Sequence, residues 1–196
     1  MPEAMPQSTT PAAPVDAADD EWDTLATALN LRGVLHIAPR RRGRASLPRT
    51  GDALFERLLR SGEPRLQQAA ILLLMTHPDL AAAAQTAVGR LGGVAHDRAM
   101  RRYVAAAALQ RMAATRIAQH LGPQTAIPPA YGAELGLPPL DRDFGRAALL
   151  VLAAEERERY GYDAWATYRA LLDLFLAEIR RAGWGDGCDN QPTSSA

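Results

Sequence analysis

The sequence predicts an all-α protein, a compact bundle of about six or seven helices around a long central helix at residues 97–121. After residue 50 the apolar residues follow helical spacing, and no run alternates as a strand does. Gly and Pro divide this part of the chain into segments of helical length. The 97–121 segment carries apolar side chains on all sides, as is typical of a helix at the centre of a bundle. They are Met100, Val104, Ala107, Leu109, Met112 and Ile117.

The N-terminal part of the chain gives three short segments. Residues 1–19 are rich in Pro and have almost nothing to bury, so they are predicted to form a disordered leader. Acidic residues from Asp20 onward precede an apolar stretch, which predicts a short helix that stops at Gly33. The apolar run at residues 33–38 ends at Pro39, and its pattern does not decide between a lone strand and an extended loop.

Three helices are predicted between residue 50 and the central helix. Residues 52–60 place four apolar side chains on one face and are followed by Ser-Gly. Residues 64–75 begin with Pro at a favoured position, are almost wholly apolar and end before the His77-Pro78 pair. Residues 79–91 run to a Gly-Gly pair. Paired helices also suggest a helical repeat, but no fixed period connects these segments, so a bundle is favoured.

Two helices are predicted to close the bundle, at residues 142–159 and 163–181, the second capped by Asp163. A Pro- and Gly-rich connection at residues 122–141 precedes them, with one turn of helix predicted at residues 129–135.

These elements together predict one α-helical domain at residues 20–183, followed by a disordered tail at residues 184–196. The single Cys, Cys188, lies in that tail and has no intrachain partner, which favours a reducing cytoplasm. The sequence shows neither a signal-peptide pattern nor about 18 consecutive uncharged apolar residues, so we expect neither export nor membrane insertion.

The composition excludes several enzyme classes. All 22 basic residues are Arg, so a Walker A phosphate loop, a kinase lysine and Schiff-base chemistry are excluded. Outside the two ends the only serines are Ser46 and Ser61, and neither lies in a nucleophile elbow. The four histidines lack metal-ligand spacing: His36, His77, His96 and His120. We therefore predict no catalytic residues, no metal and no cofactor.

Glu155, Glu156 and Glu158 could offer two carboxylates for acid–base chemistry, since Glu155 and Glu158 share a helix face. They alternate with Arg157 and Arg159, which is typical of the solvated, salt-bridged end of a helix.

A basic loop is predicted at residues 39–50. It contains five arginines and no acid, and such a patch can bind phosphates or an acidic protein face. The arginines are Arg40, Arg41, Arg42, Arg44 and Arg49. Because no aromatic residue is interleaved, the loop offers no base readout, and a solvated loop is the alternative.

The central helix contains polar residues that need an explanation. Gln110 and Arg111 lie among apolar neighbours, with Tyr103 and Arg116 near them in sequence. A guanidinium inside a bundle needs a carboxylate or a ligand anion. Arg111 is therefore expected either to reach solvent, to pair with a helix acid such as Glu155 or Glu134, or to form a site for a partner or ligand.

Short motifs between Leu58 and Leu121 carry a resemblance to known proteins. They are Arg60-Ser-Gly-Glu-Pro-Arg-Leu66, Thr76-His-Pro-Asp-Leu80, Tyr103, Leu109-Gln110-Arg111 and Arg116, followed by Ile127-Pro128, Leu137-Pro138 and the helix from Tyr168. Over residues 55–181 the chain resembles small helical prokaryotic proteins encoded beside minimal nucleotidyltransferases, in toxin–antitoxin-like pairs.

The resemblance implies a partner protein such as a nucleotidyltransferase, and it marks Tyr103, Gln110, Arg111 and Arg116 as the positions of interest. One motif departs from the related pattern. Helical nuclease partners of such transferases carry Arg and His with four to six residues between them, whereas only three separate Arg116 from His120. The departure argues against ribonuclease activity.

The sequence therefore predicts a non-enzymatic helical module that binds another protein in the cytoplasm. A nucleic-acid-associated protein that uses the Arg40–Arg49 patch is the alternative. A third, weaker hypothesis is an RNase-like helical enzyme that uses Arg111, Arg116 and His120.

Overall fold

Seven α-helices form the part of the chain that the computed structural model describes, residues 15–40 and 47–185. They are α1 (Val15–Asn30), α2 (Gly51–Arg60), α3 (Pro64–Thr76), α4 (Ala81–Gly89), α5 (Gly93–Leu121), α6 (Arg146–Tyr160) and α7 (Ala164–Gly185). Two short 3-10 helices, Pro78–Leu80 and Arg142–Gly145, precede α4 and α6. The predicted all-α bundle is confirmed.

The helix α5 is the centre of the bundle and contacts α2, α3, α4, α6 and α7. Of the six apolar residues predicted to lie on all sides of this helix, five are buried and Met112 is partly buried. The middle of the helix is a run of four alanines, Ala105 to Ala108, each fully buried. Because these side chains are small, several neighbouring helices approach the backbone of α5 closely.

Several helix boundaries differ from the prediction. The helix α1 begins at Val15, inside the predicted leader, because no Pro or Gly interrupts residues 15–19. The helix α5 begins at Gly93, four residues before the predicted start, and α7 reaches Gly185. Residues 1–14 and 186–196, which include Cys188, lie outside the described residues.

The structure also shows the conformation of two segments that lie between helices. Residues 33–38 contain no strand and form the extended loop, entered through Gly33 at φ +79°. In the connection at residues 122–141 the predicted helical turn is a single hydrogen-bonded turn, in which the amide of Leu135 donates to the carbonyl of Tyr131 at 3.0 Å. Left-handed backbone at Tyr131 (φ +63°) and Gly136 (φ +65°) bounds the turn at both ends, so it does not continue as a helix.

Among the described residues no single helix is both long and apolar enough to cross a membrane. Only Pro64–Thr76 and Pro78–Gly89 taken together meet that criterion, and a bend of 111° separates them.

Candidate functional site

The connection at residues 122–141 is fixed to the central helix by Gln110. Its Nε2 donates to the carbonyl of Thr125 at 3.0 Å, and its Oε1 accepts from the amide of Ile127 at 2.7 Å. The side chain of Gln110 is buried, as is Ile127. One side chain therefore pairs with both a backbone donor and a backbone acceptor of this irregular segment.

Tyr103 fixes the next part of the same segment. Its hydroxyl donates to the carbonyl of Pro128 at 3.1 Å and accepts from Nε2 of Gln85 at 2.8 Å. Its ring meets that of Tyr131 edge to face, with centroids 5.3 Å apart. Burial raises the pKa of Tyr103 above its usual value, so its hydroxyl stays a neutral donor.

Arg111 lies one residue beyond Gln110 and is half-buried. Its Nη1 donates to the carbonyl of Ala107 at 2.9 Å and its Nη2 to the carbonyl of Ile127 at 3.0 Å. Burial lowers the pKa of Arg111, although Tyr103 and Asp141 act in the opposite direction. The predicted ion pair with Glu155 or Glu134 is wrong: no carboxylate of the described chain lies within ion-pair distance of this guanidinium.

Arg111 borders a groove of about 480 Å³, which we call the Arg111 groove. Its walls come from the connection and are mostly apolar. They are formed by Pro129, Ala130, Tyr131, Gly132, Ala133, Leu137, Pro138, Pro139, Leu140 and Asp141. The volume falls in the range of small-ligand pockets, and the charged groups at this mostly apolar surface are the guanidinium of Arg111 and the carboxylate of Asp141, which is beyond ion-pair distance of it.

The fourth predicted position, Arg116, does not join this site. It is exposed, as is His120 one turn later. At about 100° per residue, Arg111 and His120 lie on roughly opposite sides of α5. The geometry brings Tyr103, Gln110 and Arg111 to one segment and leaves Arg116 and His120 on another face.

The predicted basic patch is described only at its ends, since Arg41, Arg42 and Arg44 lie outside the described residues. Arg49 is exposed. Arg40 lies over the ring of Trp22, with its Cζ 4.6 Å from the ring centroid, and its Nη1 is 2.6 Å from Oδ1 of Asp19.

Two charged clusters between α5 and α6 were not anticipated. In the first, the buried guanidinium of Arg101 pairs with the partly exposed carboxylates of Asp97 at 3.0 Å and Glu155 at 2.6 Å, and Arg159 joins Asp97 at 2.6 Å. The spacing of Asp97 and Arg101 could have indicated the first pair, because residues four apart share a helix face.

The second cluster is buried. Nη1 of Arg102 is 3.2 Å from Oε1 of Glu156, whose Oε2 accepts from the hydroxyl of Tyr162 at 2.7 Å. Tyr168 lies next to the same guanidinium at 3.5 Å. The predicted solvated end of α6 is therefore wrong at Glu156, which is 1% exposed. In sequence Glu156 looks like any other acid of the charged run, so no local signal marks it.

Nothing in the described ranges groups three or more His, Cys, Asp or Glu side chains as a metal site would. Comparison with known proteins found no family model that matches the chain, and no similar curated protein or solved structure. The resemblance to partners of nucleotidyltransferases therefore stays a prediction.

Proposed function

We propose that this protein is a non-enzymatic helical module that binds another protein, and that the Arg111 groove receives a segment of that partner. The observation that carries the proposal is a half-buried guanidinium that borders an apolar groove and has no carboxylate of the described chain within ion-pair distance.

The hydrogen bonds of Arg111 leave capacity for a ligand. A guanidinium has five N–H donors, and two of those of Arg111 are used on the carbonyls of Ala107 and Ile127. These two bonds fix the position of the planar group before any partner arrives. The remaining donors suit a carboxylate, which accepts two parallel N–H bonds from one guanidinium.

The walls of the groove favour an extended segment of polypeptide. Tyr131, Leu137 and Leu140 supply apolar contact, and the prolines at positions 129, 138 and 139 restrict the backbone around them. We therefore expect a partner segment in which an acidic side chain or a chain terminus is flanked by apolar residues. Phe144, 75% exposed on the segment that follows, adds apolar surface of the kind found at protein interfaces.

The proposed partner is a nucleotidyltransferase encoded beside this protein, as the resemblance in sequence implies. Binding is tested by co-expression of the two chains and measurement of their affinity. Arg111→Met keeps the apolar stem and removes the charge, so it should weaken the affinity at least tenfold. The matched control is Arg116→Met, because Arg116 is exposed on a different face of the same helix.

The stability of the same variant separates a structural role from a binding role. Because no partner carboxylate is stranded, Arg111→Met should lower the free energy of unfolding by only about 1–2 kcal/mol, the order expected for lost hydrogen bonds to carbonyls. A loss of about 3 kcal/mol or more would point to a structural role. Unchanged affinity in a folded Arg111→Met protein would contradict the proposed site.

The alternative that this protein binds nucleic acid can be tested directly. If Arg40, Arg41, Arg42 and Arg44 contact phosphates, binding of RNA or DNA should fall steeply with salt and disappear when all four are changed to Ala.

The RNase-like hypothesis gains no support from the geometry, because Arg111 does not share a face with Arg116 and His120.

A further inference from the structure

A second groove, of about 740 Å³, lies between α1, the loop that follows it, α3 and α7. We call it the Trp22 groove. It is lined by Trp22, His36, Ile37, Ala38, Arg40, Arg65, Gln68, Thr167, Ala170, Leu171 and Leu174. The described residues of the lining combine two arginines, three other polar side chains and an apolar floor, and none of them carries a carboxylate.

The wall formed by the loop is fixed from two sides. On the α1 side, Nε1 of Trp22 donates to the carbonyl of Ala38 at 3.1 Å, and the amide of Arg40 donates to Oδ1 of Asp23 at 2.5 Å. On the α7 side, the amide of Leu35 donates to Oε1 of Glu178 at 3.3 Å. The groove is therefore formed before a ligand binds, and little ordering is needed on binding.

The two arginines face the groove under different constraints. Arg40 is held over the Trp22 ring and bonded to Asp19, which fixes its guanidinium and leaves other N–H donors. Arg65, on α3, is exposed and forms no ion pair with any described residue. Arg65 therefore supplies a positive charge that no described carboxylate pairs, whereas the charge of Arg40 is paired with Asp19 and its remaining N–H groups serve as fixed donors at the groove.

We propose that the Trp22 groove binds a small organic phosphate, a phosphate monoester with an apolar body. The phosphate has three terminal oxygens and two negative charges, which suit two guanidiniums better than a single carboxylate does. Gln68 adds an uncharged donor at the same groove, whereas the hydroxyl of Thr167 donates to the carbonyl of Asp163 at 3.2 Å. Ile37, Leu171 and Leu174 provide the surface for the apolar body.

The inference is independent of the proposed function, because it uses none of the residues of the Arg111 groove. It also differs from the nucleic-acid alternative. A groove of this size accommodates one small molecule, whereas nucleic-acid binding by the basic loop needs several successive phosphates.

Isothermal titration of the full-length protein with 1-naphthyl phosphate tests the proposal, with 1-naphthol and inorganic phosphate titrated separately. Both halves of the ligand contribute, so 1-naphthyl phosphate should bind at least tenfold more tightly than either compound. Arg65→Ala should lose at least tenfold in affinity while melting at the same temperature, because Arg65 is exposed and has no ion pair. Arg116→Ala, an exposed arginine on another element, is the matched control and should bind normally.

Several results would overturn the proposal. One is the absence of 1-naphthyl phosphate binding at millimolar concentration, and another is equal binding of 1-naphthol, which would make the groove merely apolar. Unchanged affinity of Arg65→Ala would place the ligand elsewhere. If a single-stranded oligonucleotide binds more tightly than 1-naphthyl phosphate and loses affinity equally in Arg65→Ala, the groove belongs to a nucleic-acid surface instead.

Discussion

Three consecutive residues before α6 have left-handed backbone conformations: Asp143 at φ +51°, Phe144 at φ +53° and Gly145 at φ +83°. Such a run is costly for the two residues with a Cβ. At the end of this run, Gly145 lies so close to α5 that an added Cβ would be 2.9 Å from the Cα of Ala108. The chain thus enters α6 directly against the backbone of the alanine run in α5.

This contact predicts a large effect of a small substitution. Gly145→Ala adds a methyl group in a left-handed conformation and against backbone that cannot move aside, so it should lower the free energy of unfolding by about 2–4 kcal/mol. Gly132→Ala, where a Cβ meets nothing within 4 Å, is the control and should change stability little. Denaturant unfolding measures both. Equal stability of the two variants would mean that the α5–α6 contact is looser than described.

Sequence reasoning at single residues succeeds where the partner is local. Asp163 is predicted as a helix cap, and its Oδ1 accepts from the amide of Ala166 at 3.0 Å. Gln110 and Arg111 are recognised as unusual because they interrupt an apolar helix. Their partners are not recognised, because the carbonyls of Thr125 and Ile127 reach them only through the path of the connection. A backbone acceptor carries no side-chain signature in the sequence.

At the scale of elements, the connection at residues 122–141 is ordered by α5 rather than by secondary structure of its own. Tyr103 and, about two turns later on the same helix, Gln110 and Arg111 bond the backbone at residues 125–128. The Pro and Gly content of the connection correctly predicts that it forms no long helix. The same content is also typical of a loop that makes no fixed contacts with the rest of the protein. What separates the two cases is the polar side chains on the helix that faces it.

Gln110 is predicted to hold the connection in place. Gln110→Leu keeps the size of the side chain but leaves the amide of Ile127 and the carbonyl of Thr125 unpaired. It should lower the free energy of unfolding by roughly 1–3 kcal/mol, since the buried amide of Ile127 is stranded, whereas the carbonyl of the exposed Thr125 can bond water. Hydrogen exchange at Ile127 should accelerate while exchange in α3 changes less. Gln119→Leu, exposed on the same helix, is the control; protection at Ile127 that survives Gln110→Leu would contradict this role.

Over the whole molecule, the apolar pattern of α5 is sufficient to predict a bundle, but it does not predict which polar groups the bundle encloses. Arg102 and Glu156 are 54 residues apart, and their pairing depends on how α6 packs on α5. Tyr162 and Tyr168 complete that cluster from the start of α7 and the turn before it. Four of the five tyrosines, including Tyr103 and Tyr131, thus stand partly or fully inside the protein.

The enclosure of these tyrosines predicts alkaline instability. Burial raises the pKa of Tyr168 well above its usual value, and Glu156 adds to the effect. Burial also raises the pKa of Tyr103, Tyr131 and Tyr162. Above pH of about 10, the usual pKa of tyrosine, the unfolded chain loses these protons while the folded protein retains them. The stability that the neutral hydroxyls contribute is therefore complete below that pH and falls as the pH rises.

Melting temperature and tyrosinate absorbance, both followed as the pH is raised, measure this effect. The melting temperature should fall above pH of about 10, and most of the tyrosinate absorbance should appear together with the loss of helical circular dichroism. Tyr168→Phe keeps the ring and removes the proton, so its stability should fall less steeply with pH than that of the natural chain. Tyr160→Phe, on a half-exposed ring, controls for the loss of one tyrosine hydroxyl and should melt close to the natural chain at neutral pH. Ionisation of all five tyrosines while the helices remain intact would contradict the prediction. The polar interior between α5, α6 and α7 would then be open to water, and the Arg102–Glu156 pair would contribute little to the stability of the fold.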